Sequence, residues 1–196
     1  MAEASPQLLL ASTSPRRREL LSRAGLTFGI RAPEVDETVR PGEAPEAYVS
    51  RLARAKARAV ASGSPHALVL AADTSVVTDS GILGKPRDDA EALAMLTSLM
   101  GRSHRVLTAV ALAGAAASEV LVSTRVWMRP ADPEELRWYV QTGEPADKAG
   151  AYAIQGIGGQ LVSRIEGSYT NVVGLPVAET LSLLEAAGLR LPWRAA

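Results

Sequence analysis

The chain has 196 residues, 47% of them hydrophobic, enough to bury one sizeable core and too few for a multi-domain machine. Lys plus Arg and Asp plus Glu each number 21, so the formal charge is zero; no global positive field holds nucleic acid, and any phosphate site must be a local cluster. The absence of cysteine excludes disulfides, thiolate-bound zinc and a cysteine nucleophile, leaving carboxylates and two histidines as metal ligands.

The opening Met1–Pro6 carries no basic leader, and the apolar run after it is far shorter than the ~20 residues of a membrane span, so a soluble, cytoplasmic protein with no membrane partner is expected. Leu8 to Ala11 is a continuous apolar run that predicts a buried strand, broken by Ser12 to Pro15. A helix follows, with Ser14 as its cap, Pro15 at the first position, Leu20, Leu21 and Ala24 on one stripe and Gly25 as its stop. Residues 27–32 predict a second strand that leads into the acidic Glu34-Val35-Asp36-Glu37. Pro45 starts a longer helix with Tyr48, Leu52, Ala55 and Ala59 on its apolar face, ending near Gly63.

Residues 67–72 predict a buried strand closed by Asp73-Thr74, and residues 81–86 a turn-rich loop containing Lys85. Asp88 and Glu91 have capping-box spacing ahead of a helix through Leu93, Leu96 and Leu99 to Gly101. Strands are expected over 105–113 and 119–128, a helix from Asp132-Pro133 to Gly143, then a glycine-rich loop, a strand near 161–165 and a helix over 176–188. Strands alternate with helices in places and follow one another elsewhere, which predicts an α/β protein with a mixed sheet flanked by helices.

Three arginines, Arg16, Arg17 and Arg18, crowd the first turn of the first helix, where the partial positive charge of the helix end repels them. A bound phosphate resolves that conflict, because backbone N–H groups and guanidinium forks converge on it at a strand-to-helix turn; a solvated basic patch is the plainer alternative. Asp73 is the first charged residue after a buried strand, placed to hold a divalent cation or take a proton from water, or else simply to begin an Asx-turn. Glu34, Asp36 and Glu37 offer further oxygen ligands for Mg²⁺, although exposed acidic loops are common.

Lys56 on a helix is ordinarily solvated, whereas Lys85 in Gly84-Lys85-Pro86 sits on a restricted backbone; both are candidate triphosphate ligands. Gln155-Gly156-Ile157-Gly158-Gly159 fits no dinucleotide fingerprint and reads as a tight loop that brings backbone and the Gln155 amide to a ligand, or as a plain turn. His66 and His104 lack zinc-protease spacing, and neither a Gly-x-Ser-x-Gly elbow nor a P-loop occurs.

Taken in order, Leu10-Ala11-Ser12-Thr13-Ser14-Pro15-Arg16-Arg17-Arg18-Glu19-Leu20-Leu21, Val35-Asp36-Glu37, Leu52 to Ala57, Ala72-Asp73-Thr74, Leu83-Gly84-Lys85-Pro86, Lys148 to Gly156 and Gly167 to Pro176 resemble the Maf family across essentially the whole chain. The resemblance implies an elongated α/β fold of the Maf/ITPase type, one domain over 1–196 with two lobes around a cleft, and a homodimer. It implies hydrolysis of nucleoside triphosphates between the α and β phosphates with a divalent cation, Mg²⁺ or Mn²⁺. Asp73 matches the family's proton acceptor and metal carboxylate, and Glu37 a second metal-supporting carboxylate. Ser12, Arg16, Arg17, Lys56 and Lys85 match the phosphate-facing set, and Arg16, Thr74 and Gln155 positions associated with choice of base. The motif combination is similar to the branch acting on dTTP and UTP; the alternatives are a branch acting on 7-methyl-GTP or another modified nucleotide, and a non-catalytic nucleotide-binding regulator of septum formation. Ser75 and Ala153 depart from the family pattern, standing where an apolar residue and a glycine are usual.

Overall fold

The computed structural model describes residues 7–194; Met1–Pro6, on which the expectation of no basic leader falls, lies outside the described residues. Seven strands pair in the order β2-β1-β3-β5-β6-β7, with β4 on β3. They are β1 Leu8–Ala11, β2 Gly29–Arg31, β3 Leu68–Thr78, β4 Gly81–Leu83, β5 Ser103–Gly114, β6 Ser118–Met128 and β7 Val162–Glu166. Six helices accompany them: α1 Pro15–Arg23, α2 Pro45–Ala61, α3 Asp89–Leu99, α4 Pro133–Gln141, α5 Tyr169–Val173 and α6 Val177–Ala186. β1 is parallel to β2 and β3, whereas β4 and β7 run antiparallel to their partners, so the sheet is mixed as expected. Among the described residues no helix is long and apolar enough to cross a membrane.

The chain divides into two compact units, one comprising residues up to Asp73, Thr108–Val122 and everything from Gly174, the other Thr74–Leu107 and Ser123–Val173. In the first unit every residue of β1 and of the stretch 68–72 of β3 is buried, the pattern of parallel strands covered on both faces. Leu8, Leu10, Leu68, Leu70 and Val110 pack with Leu21 of α1 and Leu184 of α6 into its core. Gly114 closes β5 with φ +90°, and a Cβ there would stand 2.2 Å from the Ala67 carbonyl oxygen, so only glycine fits that turn.

The second unit has its own core of Val76, Leu96, Leu99, Val106, Val126, Leu136, Tyr139 and Leu161. Two of its helices, α3 and α4, start on acidic caps: Asp88 accepts from the Glu91 N–H at 2.8 Å, and Asp132 from the N–H groups of Glu134 and Glu135 at 2.9 and 2.8 Å. Glu91 does not close a full capping box, because its carboxylate reaches Arg87 N–H at 2.6 Å, one residue before the cap.

Several local expectations change. β3 does not stop at Asp73-Thr74 but runs on to Thr78, because Val76 and Val77 are again apolar and buried and pair with Leu83 and Ile82. Gly81–Leu83, expected as loop, is therefore the short strand β4. Ser14 sits at the start of α1 without a side-chain cap; its N–H instead donates to Ser12 Oγ at 3.1 Å. The buried face of α2 is Val49, Leu52, Ala53, Lys56, Ala57 and Val60, a rotation away from the expected Tyr48, Ala55 and Ala59, and it carries a lysine. The helix α5 escapes a periodicity argument because its five residues make little more than one turn. It is fixed by Asn171, fully buried, whose amide donates to Val106 O and Thr124 Oγ1 at 3.0 Å each. Of the two departures from the family pattern, Ser75 is buried within β3, and Ala153 is buried without needing positive φ.

Candidate active site

Lys56 is the centre of the first unit's polar chemistry. Its side chain leaves the buried face of α2, and its ammonium lies 2.7 Å from Asp73 Oδ1 and 2.7 Å from Glu37 Oε1. Lys56 and Asp73 are 8% and 7% exposed, so their attraction acts where water screens little; Glu37 approaches from the wetter side. Burial pushes the Asp73 carboxyl up from its ordinary value, against the opposing pull of Lys56 and, more weakly, of Arg17. A rigid strand thus presents a carboxylate with enhanced proton affinity, the property expected of a general base.

Glu37 reaches this pair because its loop is tied to α2. Tyr48 Oη donates to the Glu37 carbonyl at 2.9 Å, and Arg51 Nη2 donates to the Thr38 carbonyl at 3.0 Å. Arg51 is held in turn by a bidentate bond to Glu43, with Nε and Nη2 at 2.6 and 2.7 Å from the two carboxylate oxygens. That fork pulls the Glu43 carboxyl down to about 2. Tyr48, Arg51 and Glu43 were not among the residues expected in the site; their signal was available only as a Glu, Tyr and Arg spaced around a helix start, which is unremarkable in sequence.

Ser12 and Arg17 meet at the turn between β1 and α1. Arg17 Nε donates to the Gly174 carbonyl at 2.8 Å, and Nη1 reaches Ser12 Oγ at 3.5 Å. Desolvation lowers the Arg17 guanidinium from its ordinary value, Asp73 raises it, and Arg16 next to it lowers it again. Its Nε is thus engaged with backbone as well as lying in the field of the site. No acidic residue occupies the first turn of α1, so Arg16, Arg17, Arg18 and the helix end form one electropositive cluster.

The structure thus brings Ser12 to Arg17, and Glu37, Lys56 and Asp73 to one another. Thr74, Lys85 and Gln155 belong to the second unit. Thr74 is half-buried and follows Asp73 on β3, so it faces the opposite side of the strand. Lys85 is exposed and forms no ion pair among the described residues; the Gly84 carbonyl before it accepts from Gly150 N–H at 3.0 Å. Gln155 is exposed in the glycine-rich loop.

No cluster of three or more His, Asp or Glu suited to a metal occurs among the described residues. Asp73 and Glu37 nevertheless converge on one cation, the Lys56 ammonium. Two carboxylates fit a Mg²⁺-like ion, which takes one or two of them and completes its shell with water and substrate phosphate oxygens.

Residues 7–187 match the family model described as Maf-like protein. A dTTP/UTP pyrophosphatase of Myxococcus xanthus (strain DK1622) is 60% identical over 188 residues, covering 96% of each chain. Another protein of that name, from Anaeromyxobacter sp. (strain Fw109-5), is 53% identical over 96% of this chain and 93% of its own. Among solved structures, a HAM1 protein from Coxiella burnetii aligns with 92% of this chain and 98% of its own at 17% identity and a TM-score of 0.49. With a family model spanning nearly all the described residues and relatives sharing more than half their sequence end to end, this chain belongs to the Maf-like protein family.

Proposed function

We propose that the chain is a nucleoside triphosphate pyrophosphatase that converts dTTP and UTP to their monophosphates and pyrophosphate with the help of a divalent cation. The observation that carries this reading is the buried Lys56 ammonium gripped at 2.7 Å by both Asp73 and Glu37, beside an arginine-rich helix start. The names of the relatives at 60% and 53% identity supply the substrate class.

In this reading Asp73 takes a proton from the water that attacks the α phosphorus. The new bond is P–O from water to the α phosphorus, the bond to the bridging oxygen breaks, and that oxygen keeps the electron pair as pyrophosphate departs. Arg16, Arg17, Lys56, Lys85 and the Ser12 hydroxyl stabilise the charge that grows on the phosphate oxygens, the dominant contribution in this class of reaction. Asp73 and Glu37 would hold Mg²⁺ or Mn²⁺, which supplies charge neutralisation at the phosphates when bound. Thr74, Gln155 and Arg16 select the base by hydrogen bonding, where an unmatched partner is more costly than a loose fit. A homodimer in the cytoplasm completes the proposal, in keeping with a cysteine-free chain.

The test is a panel of dTTP, UTP, the other common triphosphates and 7-methyl-GTP at equal concentration in Mg²⁺ and in Mn²⁺, with monophosphate and pyrophosphate measured together. Equal amounts of both products, fastest from dTTP and UTP and abolished by chelator, are expected. Release of orthophosphate, preference for 7-methyl-GTP, or nucleotide binding without turnover would each overturn it.

A further inference from the structure

Within the second unit, Glu144 lies three residues past the end of α4, in a 3-10 turn over Glu144–Asp147, and its carboxylate gathers three donors. Oε1 accepts from the Tyr139 hydroxyl and from Gly158 N–H at 2.8 Å each, and Oε2 accepts from Ile157 N–H at 2.9 Å. The Tyr139 oxygen accepts in turn from Ala153 N–H at 3.2 Å. Two side chains therefore hold three backbone N–H groups that lie on both sides of Gln155, while Gln155 itself stays exposed.

The composition of the loop follows from how closely it approaches this pair. A Cβ on Gly156 would stand 2.0 Å from Glu144 Oε2, and one on Gly158 2.4 Å from the Tyr139 oxygen. Burial raises the Glu144 carboxyl, but the Gly158 N–H, the Tyr139 hydroxyl and the Ile157 N–H together outweigh it and leave the group below its ordinary value. Glu144 is then ionised and acceptor-only at neutral pH, so it cannot exchange roles with its three donors and the geometry is unique. A turn with only packing to satisfy could be closed by backbone bonds such as Gly156 N–H to Ala153 O at 3.2 Å, which the loop already has. Glu144 anchors the segment after Gln155, through Ile157 and Gly158, and Tyr139 anchors it before, through Ala153.

We propose that Tyr139 and Glu144 are positioning residues for base selection, fixing the Gln155 amide by clamping the loop on either side of it. The inference rests on the base-contacting role proposed above for Gln155. A freed loop lets the amide wander, so the wrong base no longer leaves a buried polar partner unmatched and discrimination falls, while the phosphate chemistry around Asp73 continues.

The experiment measures kcat and KM for dTTP and for dGTP with the full-length protein and its Tyr139→Phe, Glu144→Gln and Gln155→Ala variants. Tyr139→Phe removes one hydroxyl and keeps the ring; Glu144→Gln keeps the shape and puts an N–H donor against the loop's own donors, so the expectation survives if one variant fails to fold. Both are expected to lower the dTTP-over-dGTP ratio of kcat/KM about five-fold or more, in the same direction as Gln155→Ala. The loss should fall on KM for dTTP, with kcat within about three-fold of the parent. An unchanged ratio in the clamp variants beside a reduced one in Gln155→Ala overturns the clamp alone. An unchanged ratio in Gln155→Ala overturns it as well, and in that case it is the base-contacting role of Gln155 that has failed.

Discussion

Lys56 and Asp73 are joined at 2.7 Å with only 10% and 9% of their side-chain surfaces left in contact with water. Removing one member of so dry a pair strands the other's charge, a change that costs about 3–5 kcal/mol, whereas removing both charges costs far less. Lys56→Met keeps the apolar stem along α2 and is expected to lower the unfolding free energy by about 3 kcal/mol. Adding Asp73→Asn to it should recover part of that loss, since the buried Asp73 charge is then gone and Glu37, the other partner of Lys56, is more than half exposed. Urea denaturation at neutral pH measures both; a cost below about 1 kcal/mol for Lys56→Met would mean that the pair is solvated in solution.

Asp73→Asn preserves the size and polarity of the side chain while removing the proton acceptor. It is expected to cut kcat about 10²–10⁴-fold with nucleotide affinity changed little. Because burial raises the Asp73 carboxyl, its titration in the metal-free protein should lie above the ordinary carboxylate value of about 4. Carboxyl-carbon NMR of the parent against Asp73→Asn, both in chelator, reads that titration. Turnover by Asp73→Asn at the parental rate would remove the carboxylate from the reaction.

Arg51 acts on the site only through the loop it holds, since its bonds go to the Thr38 carbonyl and to Glu43. Arg51→Ala should therefore lower kcat/KM by displacing Glu37, and once Glu37→Gln has been made the same change should do little more. The expected double-mutant coupling is about 1–2 kcal/mol in transition-state stabilisation. Additive effects would show that Arg51 serves stability and not the placement of Glu37.

The frame of the molecule was legible in the sequence because its strongest signals are local. Continuous apolar runs marked β1 and the first half of β3, and Asp88 and Asp132 announced the starts of α3 and α4. The continuation of β3 past Asp73 was hidden, because a polar Asp-Thr-Ser step reads as a strand end until Val76 and Val77 find β4. The burial of Lys56 was not legible, although the residue stood among the candidate phosphate ligands: a lysine on a helix is ordinarily solvated, and only the carboxylates of Asp73 and Glu37, 17 residues ahead and 19 behind, make its burial tolerable. Glu144 was overlooked for a similar reason. The glycines at 156, 158 and 159 drew attention to their loop, but the acid and tyrosine against which Gly156 and Gly158 pack lie more than ten residues earlier, with nothing in their spacing to connect them.

His104 is 3% exposed, and its Nε2 lies 2.8 Å from the Tyr152 hydroxyl, the two rings meeting edge to face at 5.5 Å. Nδ1 has no hydrogen-bond partner among the described residues, so a proton added there would be buried without compensation. Burial accordingly pushes the imidazole down to about 4. Between pH 6.5 and about 4 the unfolded chain binds a proton that the native imidazole refuses, so the group's contribution to stability is complete above pH 6.5 and is lost as the pH falls through that window. The loss is about 3 kcal/mol. Asp73 works in the opposite sense, because its raised carboxyl takes up a proton in the native state before the unfolded one does, and the parent's curve alone therefore mixes the two. His104→Gln isolates the histidine: its amide can still meet the Tyr152 hydroxyl but does not titrate. The difference in unfolding free energy between the parent and this variant should shift by about 3 kcal/mol against the parent from pH 7 to pH 4, while the Asp73 contribution cancels. Parallel curves across that range would show that His104 accepts its proton in the folded protein as readily as in the unfolded chain.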